Sequence, residues 1–143
     1  MIPDEAEIVA SLKKLKNRRA PGASGITVED LKKYYYNATI SEKKDEVAIK
    51  IRHNIINIIQ IAFRVGNVPT AFTQGTLVLI PKPGTDNFRG IALLETIYKI
   101  VSMIIHRRLI TSIDFHDGIH GFRVGRGTST AIINIKLRMQ LAK

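Results

Sequence analysis

Apolar residues recur at three- and four-residue steps from Pro3 to about Lys16, at Ala6, Ile8, Val9, Leu12 and Leu15, with Asp4 and Glu5 ahead of them. That period predicts an amphipathic helix with its acids at the positive end of the helix dipole. Pro21, Gly22 and Gly25 in "NRRAPGASG" break it. Thr27 with Asp30 has the spacing of a capping box and predicts a short helix through Leu31 toward the tyrosines at 34 to 36, with "NATI" after it as a loop. Ser41 is placed to cap a long helix carrying Val47, Ile51, Ile55, Ile58, Ile59, Ala62 and Phe63 on one broad face. Its many isoleucines favour strand by propensity, but its length and interleaved charges favour helix. "VGNVP" ends it at Val65 to Pro69.

The period then changes. "GTLVLIPK" and "GIALL" are short, branched and apolar, and "PGTDN" lies between them, which predicts a two-stranded hairpin. From Glu95 to Ile113 the helical period returns, with Ile97, Ile100, Val101, Ile104, Ile105 and Leu109 facing inward and Lys99, Arg107 and Arg108 outward. "DFHDGIHGFRVGRG" reads as a charged, glycine-rich loop, and Thr128 or Ser129 as the cap of a last helix with Ala131, Ile132, Ile135, Met139 and Ala142 on one side. No repeat, low-complexity segment or linker divides the chain, so the expectation is one α+β domain, mostly helical with a small antiparallel hairpin.

Composition narrows the chemistry. The chain has 143 residues, 45% of them hydrophobic, enough to build a core. It has no cysteine, which excludes disulfides, thiolate metal sites and a cysteine nucleophile. With no signal sequence and no apolar run of membrane-spanning length, it reads as a soluble intracellular protein, cytoplasmic or nuclear, with no membrane partner. The Asn37 to Thr39 sequon is then a chance match.

The net charge is +10, and it is unevenly placed: residues 1 to 46 carry +1 and residues 47 to 143 carry +9. A field of that sign attracts phosphates, whether in a polymer or a nucleotide, although an inert basic surface would look the same. Within that part, Lys82 and Arg89 flank the hairpin turn. Such a pair can converge on one anion, Lys as a mobile point charge and Arg forking two hydrogen bonds onto phosphate oxygens, and a triphosphate is a natural ligand. The spacing alone fits equally well two cations that merely keep a turn solvated.

Four blocks in order, "RRAPGASGITVEDLKKY", a long helix ending in "GNVPTAF", "LVLIPKPGTDNFRGIALLETIYKIVSMIIHRRL" and "HGFRVGRGTSTAI", resemble the amino-terminal part of reverse transcriptases of the non-LTR retrotransposon and group II intron class. The family's blocks are "k-x-x-k-a-P-G-x-D-G", "I-P-K-x-G" with "R-P-I", a helix with "Y-K" and "R-L", and "G-F-R-x-G-R". The resemblance covers about positions 8 to 140. It implies the fingers subdomain and the start of the palm of a right-hand polymerase, with template RNA, primer and a deoxynucleotide triphosphate as partners. It assigns the triphosphate to Lys82 and Arg89, and nucleic acid to Arg123, Arg126, Lys99 and Arg107. For Arg123 and Arg126 the alternative is a loop that caps the helix and pairs with Asp114 or Asp117.

This chain departs from the pattern at three places. Ser24 stands for the family's Asp, Gly90 for the Pro of "R-P-I", and His120 for the Gln that precedes "G-F-R". The metal-binding carboxylates of the family, a "D-x-x-x-A-F-D"-like strand and a "Y-x-D-D", are not in it, and the acids beyond position 86 are Glu95, Asp114 and Asp117 alone. The chain as given is therefore expected not to catalyse polymerisation by itself and to hold no cofactor, Mg2+ belonging with those missing carboxylates. The edge where a palm would continue makes self-association an expectation. A second reading, a stand-alone non-catalytic RNA-binding module of the same fold, shares the basic face.

Three further motifs carry less. "GFRVGRGTS" resembles a phosphate loop but has Gly127 where the lysine belongs. His116, Asp117 and His120 have metal-ligand chemistry, yet Gly118 interrupts any helix that would align them. The tyrosines at 34 to 36 could stack bases or simply divide between core and surface.

Overall fold

A computed structural model describes residues 1 to 40 and 46 to 142. The chain divides into two compact units, Met1–Arg107 and Arg108–Lys143.

The first unit opens with α1 (Glu5–Lys14), whose cap Asp4 accepts the Glu7 N–H at 2.7 Å. Helix α2 (Val28–Ile40) begins at a reciprocal cap: the Thr27 hydroxyl oxygen accepts the Asp30 N–H at 3.1 Å, and the Asp30 carboxylate accepts the Thr27 N–H at 3.0 Å and hydroxyl at 2.6 Å. It runs through the "NATI" segment that the sequence predicts as a loop, since no residue there forbids helical backbone. The cap expected at Ser41 lies outside the described residues.

Helix α3 (Glu46–Val65) is a helix despite its isoleucines, because a single stripe of them can be buried only at helical period. Ala48, Ile55, Ile59 and Ala62 form the buried line; Val47, expected inside, is exposed. Gly66 ends the helix at φ +72° with its N–H on the Ala62 carbonyl, a left-handed cap for which glycine is suited. A one-turn helix, α4 (Thr70–Thr73), follows, too short to give a periodic signal.

The hairpin is β1 (Thr76–Pro81) and β2 (Phe88–Leu93), antiparallel, with Thr76 opposite Leu93, Val78 opposite Ile91, Ile80 opposite Arg89 and Pro81 opposite Phe88. Lys82 N–H donates to the Asn87 carbonyl at 2.9 Å, extending the ladder by one pair, and Pro83 with Gly84 at φ +73° gives the tip the pattern of a type II turn. No strand residue is buried.

Helix α5 (Thr96–Ser112) buries Thr96, Ile100, Val101 and Ile104. Ile105 and Leu109, expected to face inward, are about half exposed. The core joins Ile8 and Leu12 of α1, Leu31 and Tyr35 of α2, Ile55 and Ile59 of α3, and Ile100, Val101 and Ile104 of α5.

The unit boundary falls inside α5. In the second unit, a loop leads to α6 (Thr128–Leu141), capped at Gly127 rather than at Thr128 or Ser129. The Thr130 hydroxyl accepts the Gly127 N–H at 2.9 Å and donates to its carbonyl at 2.8 Å, which is why the cap moves one residue earlier. None of its described side chains is buried, including Ile132, Ile135 and Met139 of the face expected to pack.

Candidate nucleotide and nucleic-acid interface

In an antiparallel pair the side chains opposite each other share a face, and the face alternates along each strand. The observed register therefore puts Val78 and Ile80 of β1 with Arg89, Ile91 and Leu93 of β2 on one face, and the Lys82–Asn87 pair continues it. Lys82 and Arg89 thus lie on the same side at the turn end of the hairpin. Both are exposed, and neither side chain has a hydrogen-bond or ion-pair partner among the described residues. Two unneutralised cations held by a narrow ribbon can approach one anion without breaking an existing contact.

The same hairpin face forms one wall of a cleft of about 540 Å³. Its apolar side is Val78, Ile80, Ile91 and Leu93; its other side brings Lys16, Arg18, Arg19 and Lys99, with no acidic residue in the lining. Lys99 thus joins the cleft as a cation, its ammonium donating to the Ala20 carbonyl at 3.4 Å. Arg18 has φ +57°, a left-handed backbone that costs a non-glycine residue about 1–2 kcal/mol. Its N–H on the Glu29 carboxylate, 2.5 Å away, holds it there. Lys16, Arg18 and Arg19 were legible only as a run of bases before a Pro-Gly break. Arg107, exposed on α5, does not line the cleft. A second hollow of about 380 Å³, between the end of α3 and α5, is lined by residues such as Phe63, Tyr98 and Ile105 and has no cation for a phosphate.

Just after β2, the Glu95 side chain is buried. It accepts the Ser24 N–H at 2.8 Å and the Ser24 hydroxyl at 2.5 Å. These donors, the hydroxyl first, hold its carboxyl below the usual range against the opposing effect of burial. A group so lowered stabilises the fold above its unfolded pKa of about 4.3 and loses that contribution as pH falls through the folded value.

In the second unit, the Arg123 guanidinium donates to the carbonyls of His116 at 3.2 Å, Ile119 at 3.3 Å and Phe115 at 3.5 Å and lies over the Phe115 ring. Arg126 binds the Asp117 carbonyl and carboxylate, lowering that carboxyl's pKa. Both arginines therefore brace their own loop, Arg126 against Asp117 and Arg123 through carbonyls without an acid partner among the described residues.

His120 ties that loop to α6. Thr130 has already committed its proton to Gly127, so His120 Nδ1 donates to the Thr130 oxygen at 2.9 Å. The Asn134 carbonyl accepts from Arg138 Nε at 2.9 Å, leaving its amide to donate to His120 Nε2 at 3.3 Å. His116 is also engaged, its Nδ1 accepting the Gly118 N–H. Among the described residues no three histidine or carboxylate side chains come together in a group that could hold a metal ion. Of the tyrosines, Tyr35 is buried in the core and Tyr34 is 38% exposed. No described helix is long and apolar enough to cross a membrane.

No family model matches the chain. Over 131 residues it is 30% identical to the RNA-directed DNA polymerase from mobile element jockey of Drosophila funebris, an alignment that takes in 85% of this chain. The chain spans 13% of the length of that protein, and it is to this stretch of a retrotransposon reverse transcriptase that it is related.

Proposed function

We propose that the chain is the fingers part and palm entry of a reverse transcriptase of the non-LTR retrotransposon and group II intron class, binding an incoming deoxynucleotide triphosphate and template RNA. The observation that carries this reading is the pair Lys82 and Arg89, unpartnered on one face of an exposed hairpin whose same face walls a basic cleft. The triphosphate takes the turn end. The cleft takes a single strand, its bases against the branched side chains of the hairpin and its phosphates toward Lys16, Arg18, Arg19 and Lys99. Arg107 adds to the field from α5. In the other unit Arg123 and Arg126 reach nucleic acid only with the guanidinium edges that their loop leaves open.

Titration of the 143-residue chain with a deoxynucleotide triphosphate, followed calorimetrically at low salt, tests the hairpin. Lys82→Ala and Arg89→Ala each remove one charge-assisted contact and are expected to weaken binding about 5- to 30-fold, or about 1–2 kcal/mol, with the larger loss for Arg89. A single-stranded oligoribonucleotide titrated into the same variants keeps most of its affinity. If the intact chain takes RNA but no triphosphate, the hairpin reading fails and an RNA-binding module without polymerase function is left.

A further inference from the structure

Three elements meet at Glu95, two of them consecutive in the chain and the third 71 residues away. The first is the end of β2, since Glu95 follows Leu93 by two residues. The second is the start of α5, where the Thr96 hydroxyl donates to the Ile26 carbonyl at 2.6 Å. The third is the Pro-Gly loop itself: the Glu95 carboxylate binds Ser24 through both N–H and hydroxyl. Packing is tight, because a Cβ on Gly22 would stand 2.7 Å from Glu95 Oε1 and 2.8 Å from its Cα. The loop held in this way carries Arg18 and Arg19 a few residues upstream, and the strand held in this way carries the opposite wall of the cleft. A two-stranded hairpin with no buried residue has little else to fix its angle.

We infer that Glu95 and Ser24 form a latch that sets the spacing between the hairpin and the arginine loop, so that Glu95 is a positioning residue for the cleft without touching what binds there. The role in binding rests on the reading of the cleft as a single-strand site; the latch itself does not. The loop pattern that this chain resembles places a carboxylate at position 24, and here the carboxylate comes from position 95 and the hydroxyl from the loop. One carboxylate suffices, and two would repel at hydrogen-bond distance.

The test is a double-mutant cycle on the 143-residue chain with Ser24→Asp, Glu95→Ser and both together, read by thermal unfolding and by affinity for a single-stranded oligoribonucleotide. Ser24→Asp alone opposes two acids, and Glu95→Ser alone strands the Ser24 N–H; each is expected to lower Tm by about 4 °C or more. In the double variant the carboxylate introduced at position 24 can accept the Ile26 N–H, as the Ser24 hydroxyl oxygen does, and face the hydroxyl introduced at the root of β2, so part of the loss in Tm is recovered. Additive losses in the double variant, or a neutral Ser24→Asp, overturn the latch.

Glu95→Gln, which retains shape and one acceptor, supplies a folded variant for binding. Measured well below its Tm, it is expected to bind RNA about 3- to 10-fold more weakly, about 0.7–1.4 kcal/mol. Unchanged RNA affinity in a folded Glu95→Gln overturns the positioning role. Absence of RNA binding by the unaltered chain overturns the single-strand reading and the positioning role with it, while the Tm cycle still decides the latch.

Discussion

Ile59→Ala is expected to destabilise the first unit by about 2–5 kcal/mol, the range for removing a large aliphatic side chain from a site that cannot collapse. Ile59 has no exposed surface and belongs to a core to which α1, α2, α3 and α5 all contribute. Truncation leaves a void between elements whose positions are fixed by one another, so relaxation at one wall opens a gap at the next. Against a typical domain stability of about 5–15 kcal/mol, this is a large fraction. Urea unfolding should show the midpoint falling by roughly 1–2 M with little change in slope, because the surface exposed on unfolding is nearly the same. Ile133→Ala gives the contrast: Ile133 is 57% exposed on α6, and its truncation should stay within about 0.5 kcal/mol. Equal effects for the two would mean that the core is not where four helices place it.

The same contrast separates what was legible in the sequence from what was not. Periodicity finds α3 because a 20-residue helix gives five turns over which one stripe can repeat, enough to outweigh the strand propensity of its isoleucines. It does not decide which side of the stripe is deepest. Val47 is as apolar as Ala48, but only the smaller residue is buried, while Ile105 and Leu109 lie just past the end of the buried stripe of α5. The hairpin was legible from Pro83 and Gly84, whose backbone preferences define the turn, and a turn fixed at that point fixes the register that puts Lys82 and Arg89 on one side. The cleft was not legible. Its second wall comes from residues 16 to 20, which the local pattern marks only as a helix end. Glu95 was hidden for the same reason: 71 residues separate it from Ser24, and the local signals are a lone acid ahead of a helix and a serine in a loop. Sequence periodicity reports what neighbours in the chain share, whereas this site is made from what the fold brings together.

Tyr35→Ala is the second large effect, about 3–5 kcal/mol, because Tyr35 is a buried aromatic that also organises the polar contacts around it. Its ring packs edge-on to Tyr36 at 5.7 Å and lies under the Arg52 guanidinium, 4.8 Å from the ring centroid. Its hydroxyl donates to the Glu5 carboxylate at 2.5 Å, and the same carboxylate pairs with Arg52. One side chain of α2 thus connects α1 and α3. Tyr35→Phe retains the ring and removes only the hydroxyl contact, so the expected cost is about 1 kcal/mol at neutral pH. The pH dependence identifies that contact. Burial first, then the Glu5 contact, pushes the Tyr35 hydroxyl up to about 12. Stability from such a raised group is complete below the unfolded value of about 10 and is lost as pH rises toward the folded value. Glu5 shows the opposite sign: the Tyr35 hydroxyl, then Arg52, hold its carboxyl low, so its contribution is present above the unfolded value of about 4.3 and is lost as acid is added. Urea unfolding of the natural protein and Tyr35→Phe at about pH 3, 7 and 11 should therefore give a stability difference that is largest near neutrality, shrinks in acid, and narrows and then reverses in alkali. A difference independent of pH would mean that the hydroxyl neither reaches Glu5 nor resists ionisation, leaving only the ring to join the three helices.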